Sequence, residues 1–168
     1  MGVVTVKSGS ITKRDATPRQ LENACVQGGI PRAFSGQATI TSGDSTGSKY
    51  ILAQVPSNAR VHDLKIYTSA DMGTTTVADI GLYQTTDAGG AVLDADFFGS
   101  AVSLKDGALN GSDILHESGA LSIAEGEKMI WEAHGLSADP GVMYDVVATL
   151  TGDCDGTGVL KIAGLYVV

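Results

Sequence analysis

The chain has 168 residues, 43% of them apolar, enough for one ordinary domain with a sizeable core and too apolar for a disordered chain. Only 18% are charged and 22 are glycine, a sparse, turn-rich composition that suits an all-β protein better than a helical one. The net charge of −8 is uneven: residues 1–34 hold five basic and two acidic residues, a surplus of +3, and residues 35–168 carry −11. An acidic body argues against nucleic acid as the main partner.

No apolar run approaches the roughly 20 residues needed to span a bilayer. The N-terminus, MGVVTVKSGS, lacks the basic start and long apolar stretch of a secretion signal, and Val6 stands where N-myristoylation wants Ser or Thr. The expectation is a soluble protein made in a cytoplasm.

In chain order, residues 1–34 show neither a sustained helical period nor clean alternation, and residues 1–32 are set apart from the body. Val3, Val4 and Val6 could add a short strand to some edge, and Arg19–Val26 could form two turns of helix before Gly28-Gly29 breaks it. The segment is expected to be an extended arm that orders on a partner or a neighbouring subunit. The body, residues 33–168, opens with strands at Ser35–Thr41 and Lys49–Val55, separated by the turn SGDSTGS. Val61–Tyr67 and Val77–Tyr83 follow, each with apolar residues at every second position, the mark of a half-buried strand. Short strands are expected at Ala91–Leu93, Ala101–Leu104 and Ile114–His116, with Asp94–Phe98 as a tight turn or a single helical turn that tucks Phe97 or Phe98 under the body. Asp106–Asp113 reads as a loop.

Ser122 and Glu125 form a capping-box pattern, which predicts a helix of two to three turns through Trp131, stopped by Gly135. Met143–Thr151 and Val159–Val168 are the two strongest strands, joined by the loop Gly152–Gly156. Eight or so short strands at regular spacing predict an all-β, jelly-roll-like two-sheet β-sandwich with one short helix and an extended N-terminal arm.

Candidate chemistry is thin. Gly43-Asp44-Ser45-Thr46-Gly47 resembles the surroundings of some nucleophilic serines, but His62, His116 and His134 lie in no second motif that would supply a base. The same stretch has the wrong spacing for a phosphate loop. Asp153-Cys154-Asp155-Gly156 begins like a calcium loop and lacks the later bidentate Glu; Asp94 and Asp96 have less support still. Turn formation accounts for both sets. Cys25 and Cys154 fit no metal or redox spacing and read as free thiols, with a disulfide open. The expectation is a non-enzymatic protein with no cofactor and no metal.

Four stretches resemble virion structural proteins of tailed bacteriophages and prophages, of the capsid decoration or cement type: AFSGQATITSGDSTGSKYILAQVPSNARV (Ala33–Val61), ADIGLYQTTDAGGAVLDADFFGSAV (Ala78–Val102), EKMIWEAHGLSADPGVMYDVVATL (Glu127–Leu150) and the closing strand. The resemblance implies a jelly-roll-like body on the outside of an icosahedral head, clamping neighbouring major capsid protein subunits. A homodimer or homotrimer would match the repeated capsid sites. Tail, connector and head-fibre components also use sandwiches of this size, and a carbohydrate- or receptor-binding module is the alternative from another class. The resemblance does not reach the arm. There, Lys7, Lys13, Arg14, Arg19 and Arg32 are expected to meet acidic capsid surface or a neighbouring copy, with Val3, Val4, Val6 and Leu21 adding buried contact.

Overall fold

The structure is a computed structural model that describes residues 4–105, 107–117 and 121–168. Eight strands form two antiparallel four-stranded sheets: β1 (Arg32–Ile40), β2 (Lys49–Pro56), β3 (Arg60–Thr68), β4 (Val77–Gln84), β5 (Val92–Ser103), β6 (Asn110–Asp113), β7 (Met143–Leu150) and β8 (Gly158–Val167). One sheet has the order β1-β8-β3-β6 and the other β2-β7-β4-β5. The pairs β1·β8, β2·β7, β3·β6 and β4·β5 are all antiparallel neighbours. That pattern arises when one long antiparallel ribbon is rolled up, and it closes through β3·β8 and β4·β7. The all-β jelly-roll expectation holds.

Period-two burial explains the four strands with the clearest alternation. Leu64 and Ile66 of β3, Ile80 and Leu82 of β4, Val146 and Leu150 of β7, and Leu160 and Ile162 of β8 all point between the sheets and are buried. Cys25 and Cys154 are both buried free thiols.

Several expectations are corrected. Asp94–Phe98 is not a turn. It lies inside β5, where the four residues between Asp94 and Gly99 pass opposite the single residue between Ile80 and Leu82 of β4. This wide bulge lets the consecutive Phe97 and Phe98 both bury, with ring centroids 5.0 Å apart in an edge-to-face arrangement. Ala91–Leu93 and Ala101–Leu104 are therefore the two ends of one strand.

Asn110–Asp113, expected to be loop, is β6; Ile114–His116 is not a strand. Asn-Gly-Ser-Asp has no intrinsic strand preference, and pairing with β3 imposes the conformation. Asp106 lies outside the described residues.

The single helix after Ser122 is replaced by a 3-10 turn at Ile123–Glu125 and a short α-helix at Ile130–Ala133. Ser122 makes no capping bond; instead the Glu132 carboxylate accepts from the Met129 N–H. The amides of Ile130 and Trp131 donate to Ala59 O and Ser57 O, so the loop between β2 and β3 satisfies the first turn and sets where it starts.

In the arm, Arg19–Val26 is not helical. The Glu22 carboxylate takes the Asn23 N–H and the Asn23 side chain takes the Cys25 N–H, and these local bonds compete with helix. The helix α1 lies earlier, at Gly9–Arg14, with Ser8 accepting from the Ile11 N–H. The expected strand is absent at Val4 and Val6, which lie in no sheet; Val3 lies outside the described residues.

Candidate interaction surface

Strand direction gives the sandwich two unlike ends. β1, β3, β5 and β7 start at the end from which the arm leaves, and β2, β4, β6 and β8 finish there. This arm end also gathers residues 57–59, 85–91, 114–117 and 121–142 and the last residue, Val168. The far end holds residues 41–48, 69–76, 104–105, 107–109 and 151–157.

The far end is tied together by its acids. Asp44 accepts from Thr41 N at 2.8 Å and from the Tyr50 hydroxyl at 2.6 Å. Asp153 accepts from Thr46 N and Oγ1 at 2.8 and 3.0 Å, and Asp155 from Thr74 N at 3.0 Å. The Tyr50 hydroxyl holds the Asp44 carboxyl below its usual range, and Thr46 does the same for Asp153. These carboxylates link three loops, the turn role expected of them, and Ser45 sits among them as part of a hydrogen-bonded turn with Ser48. His62, His116 and His134 all belong to the arm end. The length of β2 separates them from Ser45, on the order of 25 Å for eight residues. The structure does not bring Ser45 together with any of these three histidines.

The arm end is apolar in a way the rest of the surface is not. Among the described residues twelve large apolar side chains are exposed, and Ile51 alone lies away from this end and the arm. Val92, Ile123, Leu136, Val142, Met143, Leu165 and Val168 are on the end itself; Val4, Val6, Leu21 and Ile30 are on the arm. Ile123 is 83% exposed, Val6 85% and Leu21 89%. Exposed apolar residues scattered singly need no explanation, but a concentration of them does. Sequence reading singled out Val4, Val6 and Leu21 of these exposed residues. It did not name those at the end of the sandwich, which come together from segments far apart in the chain.

The root of the arm is fixed to the body. Cys25 is buried, its carbonyl accepts from Arg60 Nη1 at 2.9 Å, and Arg60 Nε donates to Gly126 O at 2.8 Å. Gly29 passes so close to Val167 that an added Cβ would stand 2.2 Å from its Cγ1. Beside this contact is an open cavity of about 220 Å³ lined by Ala24, Val26, Pro31, His62, Leu165 and Val167.

The arm cations are partly engaged already. Lys7 and Arg14 share Asp15 at 2.9 and 2.8 Å, and Lys13 meets Glu22 at 2.6 Å. Lys13, the Asn23 amide and Ser10 together lower the Glu22 carboxyl to about 2. Exposed pairs of this kind are weak and can exchange for a partner's acids. Arg19 and Arg32 make no ion pair among the described residues, and Arg32 is the first residue of β1.

No family model matches the chain, and no curated protein matches it in sequence. A solved structure is similar in fold. The fold is shared with a chain of the "Cyanophage Pam1 capsid asymmetric unit", at a TM-score of 0.50 and 12% identity, over 83% of this chain and 86% of that one. The likeness is one of fold, and it extends over two chains of nearly equal length. Among the described residues no helix is long and apolar enough to cross a membrane.

Proposed function

We propose that this protein is a structural component of a phage virion, a decoration or cement protein that docks by its arm end on the outer surface of the head. The observation that carries the reading is the gathering of exposed apolar side chains and the basic arm at one end of the sandwich. The fold shared with a chain of a cyanophage capsid supports it, as does the resemblance of the sequence to virion structural proteins.

The work proposed for it is mechanical and needs no chemistry. Burying an exposed Ile, Leu or Met side chain contributes about 1.5–3 kcal/mol. Several such side chains at the arm end, with the arm reaching to a further subunit, would hold a seam between major capsid proteins closed. Repetition over the head would then oppose the outward force of packaged DNA. The alternative of a glycan-binding module calls for a cluster of exposed aromatic rings; among the described residues none of the exposed large apolar side chains is aromatic.

The test is the number of copies in purified particles, measured by quantitative mass spectrometry against the major capsid protein. A ratio near one, or a simple fraction of it, is expected. A handful of copies would place the protein at the tail or connector, and absence from particles would sink the reading.

A further inference from the structure

The chain has three asparagines, Asn23, Asn58 and Asn110, and only Asn110 is followed by glycine. An asparagine in that setting loses its amide without an enzyme, because glycine, with no Cβ, leaves the next backbone nitrogen unobstructed. The Gly111 nitrogen bonds to Asn110 Cγ and closes a succinimide ring; the side-chain nitrogen takes up the displaced proton and leaves as ammonia. Water then opens the ring at either carbonyl, to aspartate or to isoaspartate, whose backbone is longer by one carbon.

The structure separates the sites that are locked from the one that is free to react. The Asn23 side-chain oxygen accepts from Cys25 N at 2.9 Å, and the amide after Asn58, that of buried Ala59, donates to Pro56 O. Asp155-Gly156 could close the same ring, but Thr74 N and Oγ1 donate to its carboxylate and Gly156 N donates to Met72 O at 3.0 Å. Asn110 is exposed, and its side chain makes no hydrogen bond to another described residue. The ladder of β6 on β3 pairs Asp113, Ser112 and Asn110 and skips Gly111, a bulged residue with a φ of 83°. β6 is also an edge strand of four residues, the kind of element that opens locally at little cost.

We propose that Asn110 is a self-modifying site, converted in the folded chain to aspartate and isoaspartate with release of ammonia. The new acid is placed to meet a cation. Asn110 and Lys161 pair with Tyr67 from either side and line one open cavity of about 280 Å³. Lys161 makes no ion pair among the described residues; its ammonium lies 5.8 Å from the Tyr67 ring centre. The aspartate form gains a contact to Lys161 across β3, and the isoaspartate form breaks the pleat of β6. The inference does not depend on the capsid reading.

The experiment is storage of the full chain in warm, mildly alkaline buffer, native and in denaturant, with tryptic mapping by mass spectrometry at intervals. The peptide of residues 106–128, cut out after Lys105 and Lys128, contains Asn110 and no other asparagine. In the native sample it should gain the mass of amide-to-acid conversion at a rate within about tenfold of that in denaturant. The native peptides that hold Asn23 and Asn58 should lag far behind. Backbone fragmentation should place isoaspartate at position 110 and none at 155. Asn110→Gln, whose longer side chain closes a ring far more slowly, should keep its mass. In Asn110→Asp the new carboxyl should titrate lower than in the same variant carrying Lys161→Met. A native rate more than tenfold below the denatured one, or conversion at Asn23 and Asn58 that keeps pace with Asn110, would overturn the inference. Equal titration with and without Lys161 would overturn the contact across β3.

Discussion

Arg60 joins two segments that lie far apart in the chain: its guanidinium donates to Cys25 O at the arm root and to Gly126 O in the long connection before β7. One side chain at the start of β3 thus fixes both the departure of the arm and the loop that carries Ile123. Hydrogen bonds from a charged donor are worth about 1.5–3 kcal/mol to stability. Arg60→Ala should lower the thermal midpoint accordingly and speed proteolysis within residues 19–31. Limited digestion followed by mass mapping would show it; an unchanged digestion pattern would mean that the root is held by Cys25 burial alone.

A second prediction concerns Gly81. A Cβ there would stand 2.2 Å from both Ala95 O and Asp94 O, where the bulge of β5 crosses β4. Those atoms are backbone and cannot swing aside. Gly81→Ala should therefore cost about 1–3 kcal/mol in chemical denaturation, the range of overpacked cores. The strain should also pull Phe97 and Phe98 from their buried site, seen as altered aromatic side-chain resonances.

How much of this was legible beforehand follows from where the determining contacts lie. β3, β4, β7 and β8 carry their alternation in the sequence, and an eight-strand sandwich with a basic arm follows from them. β6 does not, because Asn-Gly-Ser-Asp becomes a strand only against β3. The bulge in β5 was invisible for a related reason: consecutive phenylalanines break alternation, and only the approach of β5 over Gly81 lets both bury. The helix after Ser122 was misplaced because Ser57 O and Ala59 O, some 70 residues earlier in the chain, decide where its first turn begins. The basic arm could be read from charge alone. The pairing of its cations with Asp15 and Glu22, and the apolar loops opposite it, could not.

Acid should loosen both ends of the sandwich. Asp44 and Asp153 are held below their ordinary value of 3.8 by hydrogen bonds, as is Asp139 by Ser57. A depressed carboxyl contributes stability that is fully present above its unfolded value and is lost as pH falls through its folded value. The thermal midpoint should thus hold from neutrality down toward pH 4 and fall steeply below it. Tyr50 acts in the opposite direction: burial and then Asp44 push its hydroxyl above the ordinary 10.0, so its contribution is present below that value and is lost in strong alkali. Asp44→Asn should flatten both limbs, because it removes one carboxyl and relieves the phenol. Melts of the two proteins across pH would check this, and parallel curves would refute it.

The last prediction separates docking from folding at the arm end. Ile123 is 83% exposed and Met143 42%, so an aspartate at either position removes little packing, and its effect on the fold should stay within about 0.5 kcal/mol. On a docked particle the same charge would be buried against capsid without a partner, which costs several kcal/mol. Ile123→Asp and Met143→Asp should therefore melt like the parent protein and fail to bind undecorated heads in a pelleting assay. Removing residues 1–22 should weaken binding as well while the body stays folded, because the root at Cys25 and Gly29 still covers Val167 and keeps its bond to Arg60. Variants that bind as tightly as the parent would show that docking uses another face, and the open outer side of the β1-β8-β3-β6 sheet would be the next to test.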